Sequence, residues 1–333
     1  MGLVALAGVV GWYFFANLAW IMPELLRMDP EWQASPHFTD PEEAGPDFLV
    51  QGEYRVVQPQ PWGAQVIALG DGRFGGRILP GGLPGAGWIG HEPLPIEGRR
   101  KGDLTRLTGP GKVTAEIQDG TLELRAPNGS IHRLERVERE SPTLGAQPHP
   151  RATVLFDGRT NAFEGHLDEA GHLMEGATSK DAFGDFYLHL EFRTPFEPGL
   201  QSQKRGNSGV YLQKRYEIQI LDSFGLEGTS REAGAIYETR APDLNMAFPP
   251  LAWQTYDLYF RAARFADDGY RLEPAEVTLK HNGVLVHDRV VLREPTGLGD
   301  DEGPEPGPLL LQDHANPVRY RNIWIVPRAP KEE

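Results

Sequence analysis

The chain has 333 residues, 39% of them hydrophobic, which is enough for one large or two ordinary domains with real hydrophobic cores. Its formal net charge of -14 argues against a nucleic-acid partner, because such partners are bound by clustered Lys and Arg. The absence of cysteine excludes disulfides, thiolate zinc sites and cysteine nucleophiles. No GxxxxGK[ST] motif occurs, and no GxGxxG motif lies between a strand and a helix, so no cofactor is predicted.

The N-terminal region begins with an uncharged and mostly apolar run over residues 2–22. Such a run has the length of a membrane-spanning helix or of a long signal-peptide core. We therefore expect residues 1–27 to be an apolar helix that is either a cleaved signal peptide or a membrane anchor, with a buried core helix as the alternative. Export follows as the expected localisation: periplasmic, extracellular, or attached to a membrane through residues 2–22.

Three segments follow this helix and differ in composition. Residues 28–47 are polar and proline-rich, which indicates a tether. Residues 48–140 form short alternating runs broken by glycine, with Asp-Gly pairs at 71–72 and 119–120 that are typical of hairpin turns, so a small β module is predicted. Residues 141–153 contain three prolines and are expected to be a linker.

Residues 154–327 carry the strongest strand signals. Segments such as DFYLHLEFRT, SGVYLQ, YEIQIL, PLLLQD and RYRNIWIV alternate apolar and polar residues, while helical periodicity is nearly absent. At least seven such strands indicate an antiparallel sandwich or jelly roll. Successive side chains of a strand point to opposite faces, so Tyr216, Ile218 and Ile220 are predicted to face the core, and Glu217 and Gln219 to face away from it.

Several motifs of this region carry a family resemblance. These are LFDGRT at 155–160, FGDFYLHLEFRTP at 183–195, RGNSGVYL at 205–212, YEIQILDSFG at 216–225, GAIY at 234–237, WQTYDL at 253–258 and LQDHANPVRYRNIWI at 311–325. Together and in order they resemble the 3-keto-disaccharide hydrolase domain family. The resemblance implies a concanavalin A-like jelly roll that acts on an oligosaccharide or glycoside oxidised at C3, usually in an exported bacterial protein. The preceding region resembles the small β module found before this domain in exported proteins of planctomycete-type bacteria.

The strand YEIQILDS also resembles the E-x-D-x-x-E motif of laminarinase-like glycoside hydrolases, with Glu217, Gln219 and Asp222 at the three positions. A one-residue bulge would place Asp222 beside the other two. Replacement of the middle acid by an amide, and of the last by a shorter acid, argues against ordinary double displacement.

A 3-keto sugar suggests a different reaction, because the ketone acidifies the hydrogen at C2. The reaction needs a base near C2, a donor to the C3 oxygen and an acid for the leaving group. Glu217, His314 and Asp222 are the catalytic candidates, with Glu217 as base and His314 as acid or oxyanion donor. The alternative for Glu217 is a structural salt bridge to Arg193 or Lys214. Hydrolysis and elimination both remain open.

Six further residues are candidates for substrate binding. They are Arg193, Gln219, Tyr211, Asn207, Gln312 and Arg321. Trp253 and Trp324 are expected in the core, and Arg321 and Asn322 on opposite faces. No cluster has metal-ligand spacing, so no metal is predicted. Two other functions compete with an enzyme: a lectin-like carbohydrate-binding protein, and a surface protein whose jelly roll displays loops.

Overall fold

The computed structural model describes residues 23–56 and 61–328. The apolar run at 2–22 lies outside the described residues. Residues 23–27 are helical and are followed by two short helices, α1 (Pro30–Ala34) and α2 (Gly45–Val50). In the part of the chain that the structure describes, no helix is both long and apolar enough to cross a membrane.

The first folded unit is a closed barrel of eight strands in the order β1-β10-β9-β8-β7-β6-β3-β2. The strands of this unit are β1 (Gly52–Val56), β2 (Trp62–Ala68), β3 (Arg73–Pro80), β4 (Leu83–Pro84), β5 (Gly87–Trp88), β6 (Leu94–Lys101), β7 (Leu104–Thr108), β8 (Thr114–Gln118), β9 (Thr121–Arg125) and β10 (Ile131–Val137). Strands β4 and β5 form a separate pair outside the barrel. Both Asp-Gly pairs adopt positive φ at both residues, as a type I′ turn requires.

The second unit is a two-sheet antiparallel sandwich. Its strands are β11 (Thr153–Phe156), β12 (Phe163–Glu164), β13 (Leu173–Met174), β14 (Ala177–Phe183), β15 (Asp185–Arg193), β16 (Ser208–Leu212), β17 (Tyr216–Ile220), β18 (Gln254–Arg261), β19 (Arg264–Phe265), β20 (Arg271–Glu273), β21 (Ala275–His281), β22 (Val284–Leu292), β23 (Gly307–Leu311) and β24 (Arg319–Arg328). One sheet has seven strands in the order β11-β24-β15-β18-β21-β22, with β13 also paired to β24, and the other has five in the order β12-β14-β23-β16-β17, while β19 and β20 form a separate two-stranded pair. The predicted all-β jelly-roll sandwich is confirmed.

The core of the sandwich lies between these sheets. Leu190 of β15 and Ile218 of β17 are fully buried in the same hydrophobic cluster. Because β15 and β17 belong to opposing sheets, their other faces point away from each other. Glu217 therefore lies on the outer face of the five-stranded sheet, whereas Arg193 lies on the outer face of the seven-stranded sheet. The prediction that Arg193 shares a groove with Glu217 is wrong for this reason.

The barrel and the sandwich are joined by a buried arginine. Arg205, in the loop before β16, donates from Nη1 to the carbonyl of Ala68 at 2.9 Å and from Nη2 to Oε1 of Gln51 at 3.2 Å. Phe196 and Leu251 of the sandwich are buried in the hydrophobic cluster of the barrel. The barrel therefore supports the end of the sandwich from which β16 begins.

Candidate active site

Glu217 is the central ionisable residue on the outer face of the five-stranded sheet. Tyr211 lies opposite it on β16 and donates its hydroxyl hydrogen to Oε2 of Glu217 at 2.8 Å. The backbone N–H of Glu217 donates to Oγ1 of Thr296 at 2.5 Å. Gly209 leaves room for the carboxyl group, because a Cβ at that position would lie 2.3 Å from Oε1 of Glu217. The sequence around both strands thus forms a small chamber fitted to one carboxyl group.

The Glu217 side chain is buried without a cationic partner. Its residue is 2% exposed, and burial raises the pKa of Glu217 to about 8. No salt bridge joins it to any Lys, Arg or His among the described residues, so the predicted alternatives with Arg193 and Lys214 are not formed. A carboxyl group with this pKa is mostly protonated at neutral pH, and its carboxylate is a much stronger base than an ordinary one.

Three amide side chains on the strands and loops next to Glu217 share one property. The Nε2 atom of Gln312 lies 3.4 Å from the Tyr211 hydroxyl. Gln203 accepts from the other two amides: Gln219 donates to its Oε1 at 3.0 Å, and Asn207 donates to its backbone carbonyl at 2.8 Å. In each amide the side-chain oxygen is buried and has no hydrogen-bond partner. Buried acceptors are normally satisfied, so three such oxygens in neighbouring side chains indicate a place for a ligand rich in donors.

His314 follows Gln312 at the end of the same strand. Its Nδ1 is buried and has no hydrogen-bond partner, and burial lowers the pKa of His314, so the imidazole is neutral at pH 7. Asn316 adds another unpartnered side-chain oxygen, while its Nδ2 donates to Glu197 at 2.8 Å. The structure therefore places Glu217, Gln219, Tyr211, Gln312, Asn207 and His314 on the five-stranded sheet or at its end.

Asp222 has a different environment from the one predicted. Residues 216–220 pair with β16 in continuous register, and β17 ends at Ile220, so the predicted bulge is absent from this strand. The carboxylate of Asp222 instead accepts from Nε of Arg205 at 2.6 Å. Because Arg205 also binds the barrel, Asp222 is part of the connection between the two units.

The remaining candidates, Arg193 and Arg321, lie on the other side of the sandwich. Their guanidinium groups lie 5.0 Å and 4.0 Å from the centre of the Trp253 ring, which is thus on an outer face rather than in the core. Arg321 also donates to Glu191 at 2.7 Å. A register irregularity between β15 and β24 lets Asn322, with φ of 45°, reach the same carboxylate at 2.9 Å. The prediction that Arg321 and Asn322 point to opposite faces is wrong for that reason.

This second face contains an ionic network that sequence reasoning did not identify. His189 is fully buried and its Nδ1 lies 2.7 Å from Asp257, while Nε2 lies 3.7 Å from Glu191. Burial opposes ionisation of Glu191, but the nearby His189 imidazole and the hydrogen bonds from Asn322 and Arg321 outweigh it and lower the pKa of Glu191 to about 2. Gly145 of the linker covers the network by donating its N–H to Glu191 at 2.6 Å. The charges are mutually satisfied, which is typical of a structural network.

The sequence pattern also did not indicate four residues that lie near the outer face or the end of the five-stranded sheet. Thr296, Glu197 and Asn316 come from loops and Gln203 from a short 3-10 helix, and strand alternation gives no orientation for such segments. Within residues 23–56 and 61–328, no group of three or more His, Asp or Glu residues is placed to hold a metal ion.

Comparison with known proteins identifies the sandwich. The model of the 3-keto-alpha-glucoside-1,2-lyase-like domain family matches residues 149–326. Three solved proteins of Parabacteroides distasonis, each described as a "putative glycosyl hydrolase", are similar to the chain at 30%, 17% and 18% identity. The alignments cover 54%, 56% and 54% of this chain and 84%, 93% and 94% of those proteins, with TM-scores of 0.49, 0.36 and 0.33. No curated protein matches the chain.

Proposed function

Because the chain belongs to the 3-keto-alpha-glucoside-1,2-lyase-like domain family, we propose that it cleaves the glycosidic bond of sugars oxidised at C3. Membership of this family supports a carbohydrate-active enzyme in general. The finer proposal depends on one observation: Glu217 is buried, has a pKa of about 8 and has no cationic partner. Groups perturbed in this way occur mainly where a protein uses their proton chemistry.

The amide groups around Glu217 support a sugar as the ligand. Gln219, Gln312 and Asn207 present unpartnered oxygens, which accept hydrogen bonds and do not donate them. Sugar hydroxyl groups are donors, and several on one ring can reach neighbouring acceptors. A bound glycoside would therefore satisfy oxygens that otherwise carry a desolvation penalty of about 1–3 kcal/mol each.

The reaction proposed for this arrangement begins with proton removal. The Glu217 carboxylate takes the hydrogen from C2, and the C2–H electrons enter an enolate whose charge lies on the C3 oxygen. The side-chain amide nitrogen of Gln312 is the donor assigned to that oxygen. The enolate then reforms the ketone, a C1–C2 double bond forms and the C1–O bond breaks. The leaving oxygen takes from Glu217 the proton that Glu217 removed from C2, which regenerates the carboxylate and balances the elimination.

The pKa of Glu217 suits this chemistry. At pH 7 a carboxyl group with a pKa of about 8 is ionised in roughly a tenth of the molecules, and each carboxylate is a far stronger base than one with a pKa of 4.5. Subsequent addition of water across the double bond would give net hydrolysis. We propose elimination as the first step in either case.

A lectin-like function is the second candidate, since the unpartnered amide oxygens would bind a sugar without any base.

We also propose that the protein is exported through residues 1–27, on the strength of the apolar run at 2–22.

The test uses the full chain and a panel of 3-keto-glycosides, with products identified by NMR. A glucal-type enone would indicate elimination, and a free 3-keto sugar would indicate hydrolysis. Glu217→Gln should lower turnover by roughly 10²–10⁴-fold and leave sugar binding intact. Glu123→Gln, at an exposed position of β9, is the matched control. Sugar binding without turnover by the unsubstituted chain would reject the enzyme and favour the lectin.

A further inference from the structure

The segment 23–38, called the strap below, is fixed to the sandwich by ion pairs. Arg27 donates from Nη2 to both carboxylate oxygens of Asp313, each at 3.0 Å. Lys204 donates from Nζ to Asp29 at 3.0 Å and to Glu31 at 2.7 Å. These ion pairs involve three strap residues within five positions of the chain, so this part of the strap is held against the sandwich.

The anchors fall on the two loops that carry candidate site residues. Asp313 directly precedes His314, and Lys204 lies between Gln203 and the loop position of Asn207. The backbone carbonyl of Lys204 also accepts from Nδ2 of Asn316 at 2.7 Å, which joins the two loops to each other. The strap is therefore attached to the two segments that lead to His314 and Asn207, at the end of the five-stranded sheet.

A single buried carboxylate connects all three segments. The Glu197 side chain is fully buried, and its Oε2 accepts from the backbone N–H of Gly206 at 2.6 Å and from Nδ2 of Asn316 at 2.8 Å. Its Oε1 lies 2.5 Å from Nδ1 of His37 in the strap. His37 is in turn held by the carbonyl of Trp32, which lies 2.9 Å from Nε2.

Trp32 is the aromatic residue of the strap at this junction. Its ring packs on His37 with centroids 4.1 Å apart, and its side chain is only partly buried. The indole Nε1 is nevertheless buried and has no hydrogen-bond partner. Buried indole N–H groups usually have an acceptor. Two further buried atoms also lack a hydrogen-bond partner, Nδ1 of His314 and Oδ1 of Asn316. Their loop is connected to the strap through Glu197.

We propose that the strap forms the end wall of the sugar site and that Trp32 contacts the part of the glycoside beyond the ring held at Glu217. This inference rests on the proposed function. The ligand part is a second sugar ring or another hydroxyl-bearing leaving group: its oxygens accept from the indole N–H, and its C–H face packs on the indole ring. His314 lies two residues beyond Gln312, about 7 Å in an extended chain, which is the scale of one sugar ring.

The experiment measures binding by calorimetry in the Glu217→Gln background, where chemistry is slow. The probes are a 3-keto-disaccharide and the matched methyl 3-keto-glucoside, which lacks the second ring. Trp32→Ala should weaken disaccharide binding by about fivefold to tenfold and change methyl glycoside binding by less than about twofold. Trp32→Phe keeps a ring against His37 and should lose a smaller part of the affinity. Trp253→Ala, on the opposite outer face, is the matched control and should change neither.

The outcomes separate the two proposals. Equal weakening of both ligands, or no effect on either, would overturn the role of Trp32. If Trp32→Ala weakens only disaccharide binding but the unsubstituted chain turns over no 3-keto-glycoside, the proposed reaction is overturned and the role of Trp32 in the end wall is supported. Failure of both probes to bind would overturn both.

Discussion

Removal of the Glu217 charge should make the protein more stable at high pH while it removes activity. The carboxyl group is 2% exposed and its pKa is raised from 4.5 to about 8 in the folded protein. Between these two pH values the folded state keeps a proton that the unfolded state has lost. The free energy of unfolding therefore falls as pH rises through this window.

The size of the effect follows from the pKa shift. Raising the pKa of Glu217 from 4.5 to about 8, at about 1.36 kcal/mol per pH unit, lowers the free energy of unfolding by on the order of 5 kcal/mol between pH 4.5 and pH 9. Glutamine has nearly the shape of protonated glutamate and cannot ionise. Glu217→Gln should therefore match the unsubstituted chain at pH 5 and exceed its stability by several kcal/mol at pH 9.

Chemical denaturation at a series of pH values measures this difference, with Glu123→Gln as an exposed control that should follow the unsubstituted chain. The same preparations would be assayed for turnover of 3-keto-glycosides. Parallel stability curves for Glu217→Gln and the unsubstituted chain from pH 5 to pH 9 would refute the raised pKa. They would also remove the main support for Glu217 as the base.

Three further substitutions test the geometry around the site. Gly209→Ala should lower turnover at least about tenfold with an unchanged circular dichroism spectrum, because its Cβ would lie 2.3 Å from Oε1 of Glu217 and displace the carboxyl group. Arg205→Ala should lower the free energy of unfolding by about 3–5 kcal/mol in denaturant titrations, since it leaves Asp222 buried without its ionic partner; an effect below 1 kcal/mol would argue that water replaces the guanidinium. Gln312→Ala should raise KM by roughly fivefold to tenfold with a smaller change in kcat if its amide binds the sugar, and an unchanged KM would exclude that contact.

Strand alternation was a reliable guide to side-chain direction where the strands are regular. Tyr216, Ile218 and Ile220 are buried in the core, and Glu217 and Gln219 face the other way, as predicted. This success has a local cause, since successive side chains of any extended chain alternate between its two faces. The same rule failed at Asn322, where an irregularity in β24 turns the side chain toward Glu191.

The grouping of site residues was less predictable. Arg193 and Glu217 both point away from the core, but they belong to opposing sheets and lie on opposite sides of the sandwich. Strand assignment to a sheet depends on pairing between distant segments, which alternation does not encode. Asp222 likewise belongs to a contact with Arg205 and the barrel that no local pattern indicates.

The sequence by itself determined the all-β architecture, the two Asp-Gly turns and the outward direction of Glu217, because each depends on residues close together in the chain. Only the tertiary structure decided which outward faces meet. It joined Glu217 to Tyr211 and Tyr211 to Gln312, it buried the Glu217 carboxyl group without a cation, and it fixed the strap against the loop of His314. These features depend on burial and on contacts between distant segments, and a pKa is raised only when folding has removed the water around the group.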